Sequence, residues 1–364
     1  MIRTRDPLLR AAMKDWRRMA PYAGLDPSAF APDPLARRYT PAAARIVLRM
    51  RGIRRADVVF KRVFRPAGDT SWAAGLEAHR SFFLQLPAAT RPAAVLFADP
   101  SKQAAIYDWV PGRSLHDHLL LKLDRPKSRD EVLFRAGKSI AEFHMATEAG
   151  AVAFSACQVQ MRIARLRTLA QSDPVAILDA DLFLALSQGL APLARAAHGN
   201  MVLLAARHGD LSARNLILGP HCAAPIDFRL SRRGPVLHDL AALVADILII
   251  LTGPYGGRVA SATCVANFLA PFEAGYGMQL RGKPDFDYLL RTALLFRWAG
   301  FGRVGQTRSA FVEARLVTIQ SLLIGLTGPP ARPADQLIAE LARPEPQLRR
   351  RQAELLCCPH GLSE

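Results

Sequence analysis

The chain has 364 residues, half of them hydrophobic and 22% charged, a balance that excludes an intrinsically disordered chain and has room for one large or two ordinary domains. Its formal charge of +17 rests on 48 Lys and Arg, 41 of them Arg, against 31 Asp and Glu; so uniform an arginine usage reflects composition as much as function, and no DNA-reading motif or aromatic single-strand platform accompanies it, so no nucleic-acid partner is expected. Five cysteines without paired metal spacing exclude a disulfide framework and point to a reducing, cytoplasmic compartment; Cys357, Cys358 and His360 lack a second ligand pair.

The excess charge is N-terminal, with 16 Lys and Arg against 6 Asp and Glu in residues 1–70. No apolar h-region opens the chain, and the longest apolar run, residues 240–251, carries Asp246 and is too short to span a bilayer. Residues 8–20 set Leu9, Met13, Trp16 and Met19 against Arg10, Lys14, Arg17 and Arg18, which predicts a basic amphipathic helix. It either packs on the following domain or touches an anionic membrane surface peripherally. A Pro-rich connector, residues 21–41, leads to two strand-like segments, 44–51 and 56–64, that read as a hairpin. A helix over 71–86, strands at 93–98 and 103–109, and a Pro111-Gly112 turn follow.

From Ser114 helical periodicity dominates, over 114–122, 129–147, 160–171, 176–197, 239–251, 261–276 and 285–300. Strands first and helices afterwards predict an α+β plan: a small sheet lobe (1–110, with residues 1–35 as an extension), a larger helical lobe (111–330), and a peripheral tail (331–364) with a short helical pattern at 334–342.

The segment HGDLSARNLILGPHCAAPIDF, residues 208–228, sets Asp210, Asn215 and Asp227 beside short apolar strands. A phosphoryl-transfer site needs a positioned base, oxygen ligands for Mg²⁺ and a cation on the phosphates. Asp210 on a loop at a strand end suits the base, and Asn215 and Asp227 suit the metal. Asp and Asn also cap turns, so it is the ordered set of three that argues for chemistry. Lys61, the one lysine between Lys14 and Lys102, sits in the apolar run VVFK, and Glu77 is the one carboxylate on the helix that follows. A lysine there calls for such an anchor.

VVFK (58–61), Glu77, HGDLSARN (208–215), IDF (226–228) and GPVLHDLA (234–241) resemble the motifs of the protein-kinase-like superfamily, closest to its aminoglycoside phosphotransferase and choline kinase branch. The resemblance implies a two-lobed kinase-like fold, ATP (or GTP) and Mg²⁺ as cofactors, and a small-molecule hydroxyl as acceptor. It implies Asp210 as catalytic base, Asn215 and Asp227 as metal ligands, and Lys61 on the α- and β-phosphates, held by Glu77. It also implies a hinge for adenine at Asp108, Trp109 and Val110, Asp239 bracing the catalytic loop, and His208 packing beneath it. Counting back by the kinase pattern, the phosphate loop falls on YTPAAARIV (39–47), where Ala42, Ala43 and Ala44 stand in for glycines and their Cβ atoms limit close approach to phosphates.

Arg229, followed by Arg232 and Arg233, stands where acidic or small residues are more usual and is read as facing the acceptor; Arg214 is read as charge near the transferred group. So basic a site fits a neutral or anionic sugar-type acceptor better than choline or an aminoglycoside. The stretch IDFRLSRRGPVLHDLAALVAD resembles, locally, bacterial kinases that act on the anomeric position of cell-wall amino sugars. The rival reading is a pseudokinase, a binding module that keeps the fold without the chemistry.

Overall fold

The computed structural model describes residues 6–40, 42–66, 68, 70–173, 175–220, 222–229, 233–253, 262–301 and 309–327. The expected tail helix at 334–342, and Cys357, Cys358, His360 and Arg232, lie outside them.

The first helix, α1 (Pro7–Met19), is started by Asp6, whose carboxylate accepts the Leu8 N–H at 2.9 Å. Its apolar stripe is core: Leu9, Ala12, Trp16 and Met19 are buried with Ile46, Leu48 and Phe60 of the sheet. Arg10, Lys14 and Arg17 stay in solvent. Two ion pairs fix it, Arg18–Asp99 and Arg62–Asp15, both at 2.7 Å.

The sheet is antiparallel in the order β1-β2-β3-β5-β4. Its strands are β1 (Phe30–Tyr39), β2 (Ala44–Gly52), β3 (Val58–Arg65), β4 (Val95–Asp99) and β5 (Ala104–Asp108). The expected hairpin is β2–β3. The second half of the segment read as a Pro-rich connector is instead the ten-residue β1; its prolines fit because β1 is an edge strand, with a register shift between Pro34 and Ala36. On β2, Ala44, Ile46, Leu48 and Met50 are buried on the α1 side, while Arg45, Val47 and Arg49 line the other face. Lys61 is in register with Val47 and so shares that face.

Helix α2 (Thr70–Gln85) buries Gly75, Leu76, Ala78, His79 and Phe82. Gly75 lets it approach the second lobe: a Cβ there would lie 2.6 Å from the Phe228 carbonyl oxygen. After Asp108 the chain passes to β6 (Arg113–Ser114), α3 (Leu115–Leu121), α4 (Pro126–Ala146), β7 (Ala151–Ala153) and α5 (Cys157–Ser172). The segment expected as one helix over 176–197 is two, α6 (Ala180–Gln188) and α7 (Ala191–Ala197), parted at Gly189 and Leu190 with Pro192 opening the second.

Strands β8 (Met201–Ala206), β9 (Leu216–Leu218), β10 (Ala223–Pro225) and β11 (Arg233–Pro235) form two small sheets, β10-β9-β6 and β11-β8-β7. Helix α8 (Leu237–Thr252) is buried nearly all round and forms the axis of the lobe; α9 (Ala262–Tyr276), α10 (Pro284–Ala299) and α11 (Ala310–Thr327) surround it. Helix α11, not expected from the sequence, has no clean apolar stripe because it packs against α6, α8 and α10. It is the one described helix long and apolar enough to cross a membrane. A core helix of a soluble lobe has the same composition.

Candidate active site

The loop between β8 and β9 carries Asp210 and Asn215, and helix α8 holds it by its backbone. Asp239, 2% exposed, accepts the N–H of His208 at 2.6 Å and of Gly209 at 3.3 Å. One heptad on, Asp246 accepts the Ala213 N–H at 2.9 Å and pairs with Arg315 at 3.1 Å. Two carboxylates seven residues apart on one helix face thus grip both ends of the loop. Sequence reading found Asp239 and passed over Asp246; its signal was a charge interrupting an apolar helix at that spacing.

His208, fully buried, links the loop to the segment carrying Asp227. Its Nε2 donates to the Ile226 carbonyl at 2.8 Å, and its Nδ1 accepts the Asp210 N–H at 3.3 Å. Accepting at Nδ1 requires the neutral ring, and burial depresses its pKa to about 4. Ile226 N–H donates to the Asn215 carbonyl at 2.9 Å, and Arg229 N–H to the His208 carbonyl at 2.9 Å. Between them Asp227 takes a left-handed conformation, φ 66. Asp is among the few residues that tolerate it.

Lys61 reaches across from β3 and forms an ion pair with Asp227. Burial by itself would raise the Asp227 pKa, but the Lys61 charge and hydrogen bond outweigh it and hold the carboxyl below its usual range. Asp210 behaves oppositely: burial raises it, the Arg229 charge only partly opposing. Arg229 Nε lies 3.1 Å from Asp210 Oδ2, so this arginine sits on the candidate base. Arg45 on β2 projects its charge on both Asp210 and Asp227. Asn215 gives its amide N–H to the Asp210 carbonyl at 2.8 Å, which turns its side-chain oxygen toward other use. Asn215 and Asp227 are hard oxygen donors and fit Mg²⁺; among the described residues no cluster of three His, Cys, Asp or Glu is found.

Several expectations are corrected. Glu77 is exposed on α2 and does not meet Lys61; the close packing at Gly75 turns Ala78, His79 and Phe82 inward instead. His79 faces the Lys61–Asp227 pair, with its ring against Tyr107 and Phe228 at 5.1 and 5.6 Å, and Nε2 bonded to the Ala93 carbonyl. Burial lowers its pKa and keeps it neutral beside Lys61. We therefore expect Glu77→Ala to leave the apparent KM for ATP within about twofold, whereas His79→Ala, which opens a cavity behind the pair, lowers the thermal midpoint; steady-state kinetics and melting curves check both.

The phosphate loop is also corrected. The Ala43 N–H is bonded to Thr40 Oγ1 at 2.9 Å, and Thr40 N–H to the Ala43 carbonyl at 2.7 Å, while Ala44 is buried in the strand ladder on the α1 side. Those groups are committed to a tight turn. Ala42 is exposed. Arg214 is exposed and points at His116, 3.2 Å away, rather than at the cleft. At the hinge, Asp108 N–H is taken by the Ala94 carbonyl at 2.9 Å and Trp109 lies under Arg49 at 4.3 Å.

A cavity of about 470 Å³ opens on Asp210 from the helical lobe, lined by α5, α8, α10 and the loop that follows β8, of the size of small-molecule sites. Desolvation lowers the pKa of His144, fully buried, and His238, half-buried, to about 3 and about 4. Their folded values, like that of His208, lie below the unfolded value of about 6.5, so the unfolded chain binds more protons between. Stability is expected to fall as pH drops from about 6.5 to about 4, by up to roughly 1.4 kcal/mol per pH unit per histidine. Melts across that range check the slope, which His144→Phe should reduce.

A β-sheet lobe carrying a lysine, a helical lobe carrying the loop acids, and a cleft between them define a two-lobed, kinase-like phosphotransferase. The family model described as "phosphotransferase enzyme family" matches residues 54–286, and the chain belongs to that family. No curated protein sequence matches it. Among solved structures it is similar to a thermostable mutant of aminoglycoside phosphotransferase APH(4)-Ia, with TM-score 0.51 and 16% identity for the apo form, over 82% of this chain and 94% of that one. For the ternary complex of that enzyme with ADP and hygromycin B the TM-score is 0.52 at 14% identity, over 87% and 97%. A choline/ethanolamine kinase family protein from Mesorhizobium loti gives 0.49 at 15%, over 88% and 99%. At 16% and 14% identity, the two matches with TM-scores above 0.5 speak to the fold alone.

Proposed function

We propose that the protein transfers the γ-phosphoryl group of ATP, with Mg²⁺, to a hydroxyl of a small sugar-type molecule, neutral or anionic. The observation that carries the reading is the convergence of Lys61 and Asp227 on one side of Asp210 with a ligand-sized cavity on the other. The acceptor oxygen attacks the γ-phosphorus, the bond from that phosphorus to the β-bridging oxygen breaks, ADP leaves, and the acceptor proton passes to Asp210. Asn215 and Asp227 would hold Mg²⁺, which would supply positive charge against the phosphates.

Lys61 holds the α- and β-phosphates, and Asp108 to Val110 read the base through backbone atoms; among the described residues the Val110 N–H has no other backbone partner. Backbone reading also suits GTP. With the Ala43 amide committed, Arg45 supplies the positive charge that a glycine-rich loop would otherwise give the phosphates. Arg229, 3.1 Å from Asp210, stands beside the position of the transferred group. The pseudokinase alternative draws support from that same Arg229–Asp210 contact, which occupies the base. A basic face on α1 whose apolar side is buried supports no more than a charge-driven, peripheral contact with an anionic membrane.

Thermal shift with ATP, with and without Mg²⁺, tests the reading. A ligand at a hundred times its Kd adds about 2.7 kcal/mol, so Mg²⁺-dependent stabilisation followed by acceptor-dependent ADP release is expected. No shift with millimolar ATP or GTP sinks the enzyme reading in favour of the pseudokinase.

A further inference from the structure

We infer that the acceptor is an anion, and that Arg207 is the residue that reads its charge. The inference rests on the kinase reading only in taking the cavity beside Asp210 as the acceptor site. Three guanidinium groups line that cavity from separate elements: Arg162 on α5, Arg207 at the end of β8 and Arg297 on α10. Two carboxylates line it, and neither is available to a cationic ligand. Asp239 is spent on the His208 and Gly209 amides, and Asp210 carries Arg229. His238, also in the wall, is half-buried, and partial desolvation lowers its pKa.

The arginines differ in how far they are already satisfied. Arg297 donates to the Ala242 carbonyl at 2.8 Å and stands 3.9 Å from Asp246. Arg162 is stacked over the Phe296 ring at 3.8 Å and is otherwise exposed. Arg207 has only Asp239 nearby, at 3.8 Å, beyond hydrogen-bond reach, and its Nε is buried without a partner. A buried donor of that kind is expected to find an acceptor oxygen.

Its position is built. The stem of Arg207 lies across Gly234 on β11, where a Cβ would come 2.7 Å from Arg207 Cδ. Glycine at 234 leaves room for that stem. Val159, Leu289 and Phe296 supply apolar wall around it. A hydroxyl directed at Asp210 and a carboxylate or phosphate directed at Arg207, on one compact apolar-faced body, describe the ligand. Choline and aminoglycosides, being cations, would meet three like charges there.

The test is thermal shift on the full chain saturated with ADP and Mg²⁺, at fixed ionic strength, because a chain of formal charge +17 responds to any salt. The probes are glucose, glucosamine, glucuronate and glucose 6-phosphate. Glucuronate, glucose 6-phosphate or both are expected to raise the midpoint, and which of them does so separates a carboxylate from a phosphate ligand; glucose and glucosamine are expected to leave it unchanged. Arg207→Gln is expected to weaken that binding roughly tenfold or more, and Arg162→Gln, on an exposed helix face, is the second variant in case the first does not fold. The inference is overturned if neither anion gives a shift, if glucosamine shifts the midpoint as far as the anions do, or if both variants keep the full response. The ADP shift itself reports separately on the kinase reading, so loss of that shift and loss of the anion response are distinguishable.

Discussion

Asp210→Asn is expected to lower kcat by roughly 10²- to 10⁴-fold, the usual worth of a positioned general base, while leaving Mg²⁺-dependent nucleotide binding in place. The amide keeps the shape and the His208 hydrogen bond, which is made by the Asp210 backbone N–H and not by its carboxylate. What it removes is the proton acceptor. The base must be ionised to work, so kcat falls as pH drops through its pKa. Burial raises that pKa, and the Arg229 charge 3.1 Å away opposes the rise. Removing Arg229 takes away a lowering influence; Arg229→Gln should therefore shift the acid limb of the pH profile to higher pH. Full turnover by Asp210→Asn with any identified acceptor would rule out the role given to this residue.

Asp227→Asn should abolish the Mg²⁺-dependent part of nucleotide stabilisation and lower kcat by roughly 10²- to 10³-fold, the scale seen when one preorganised electrostatic group is lost. Asn is the informative substitution because it tolerates the left-handed backbone at φ 66, whereas Ala adds strain there. The variant also leaves Lys61 without its carboxylate. Breaking a buried pair costs about 3–5 kcal/mol; with side chains 20% and 29% exposed, this one should cost a fraction of that. Melting curves of Asp227→Asn, Lys61→Met and the double variant separate the two contributions: if the pair stabilises the fold, the double variant is less destabilised than the sum of the singles. Additive losses would mean that the contact is incidental.

Much of the site was legible because its parts lie in short runs whose local structure their own residues dictate. Asp210, Asn215 and Asp227 fall on loops flanked by apolar strands three to six residues long, and those strands form. Glu77 was misjudged for the opposite reason. On a helix without a strong apolar stripe, Glu77 and His79 stand two positions apart, and which of them turns inward is decided by Gly75 against the Phe228 carbonyl, about 150 residues away in the chain. The same distance problem hid β1, whose prolines read as a linker until β2 supplied an edge for it to pair with.

Composition and periodicity alone therefore determined the α+β plan and the order of its lobes, since alternation and helical spacing are properties of neighbouring residues. The ordered acids and Lys61 determined the class of chemistry, since each must stand at a strand end or on a short strand to act. Only the tertiary structure decided which partners meet: Lys61 with Asp227 and not Glu77, Arg229 on Asp210, Asp246 holding the far end of the loop that carries Asp210 and Asn215. It also gathered Arg162, Arg207 and Arg297 around one cavity. In a chain with 41 arginines no single one stands out by sequence. Their convergence comes from packing three separate elements around α8, and a charge becomes selective only where desolvation and neighbours make it so.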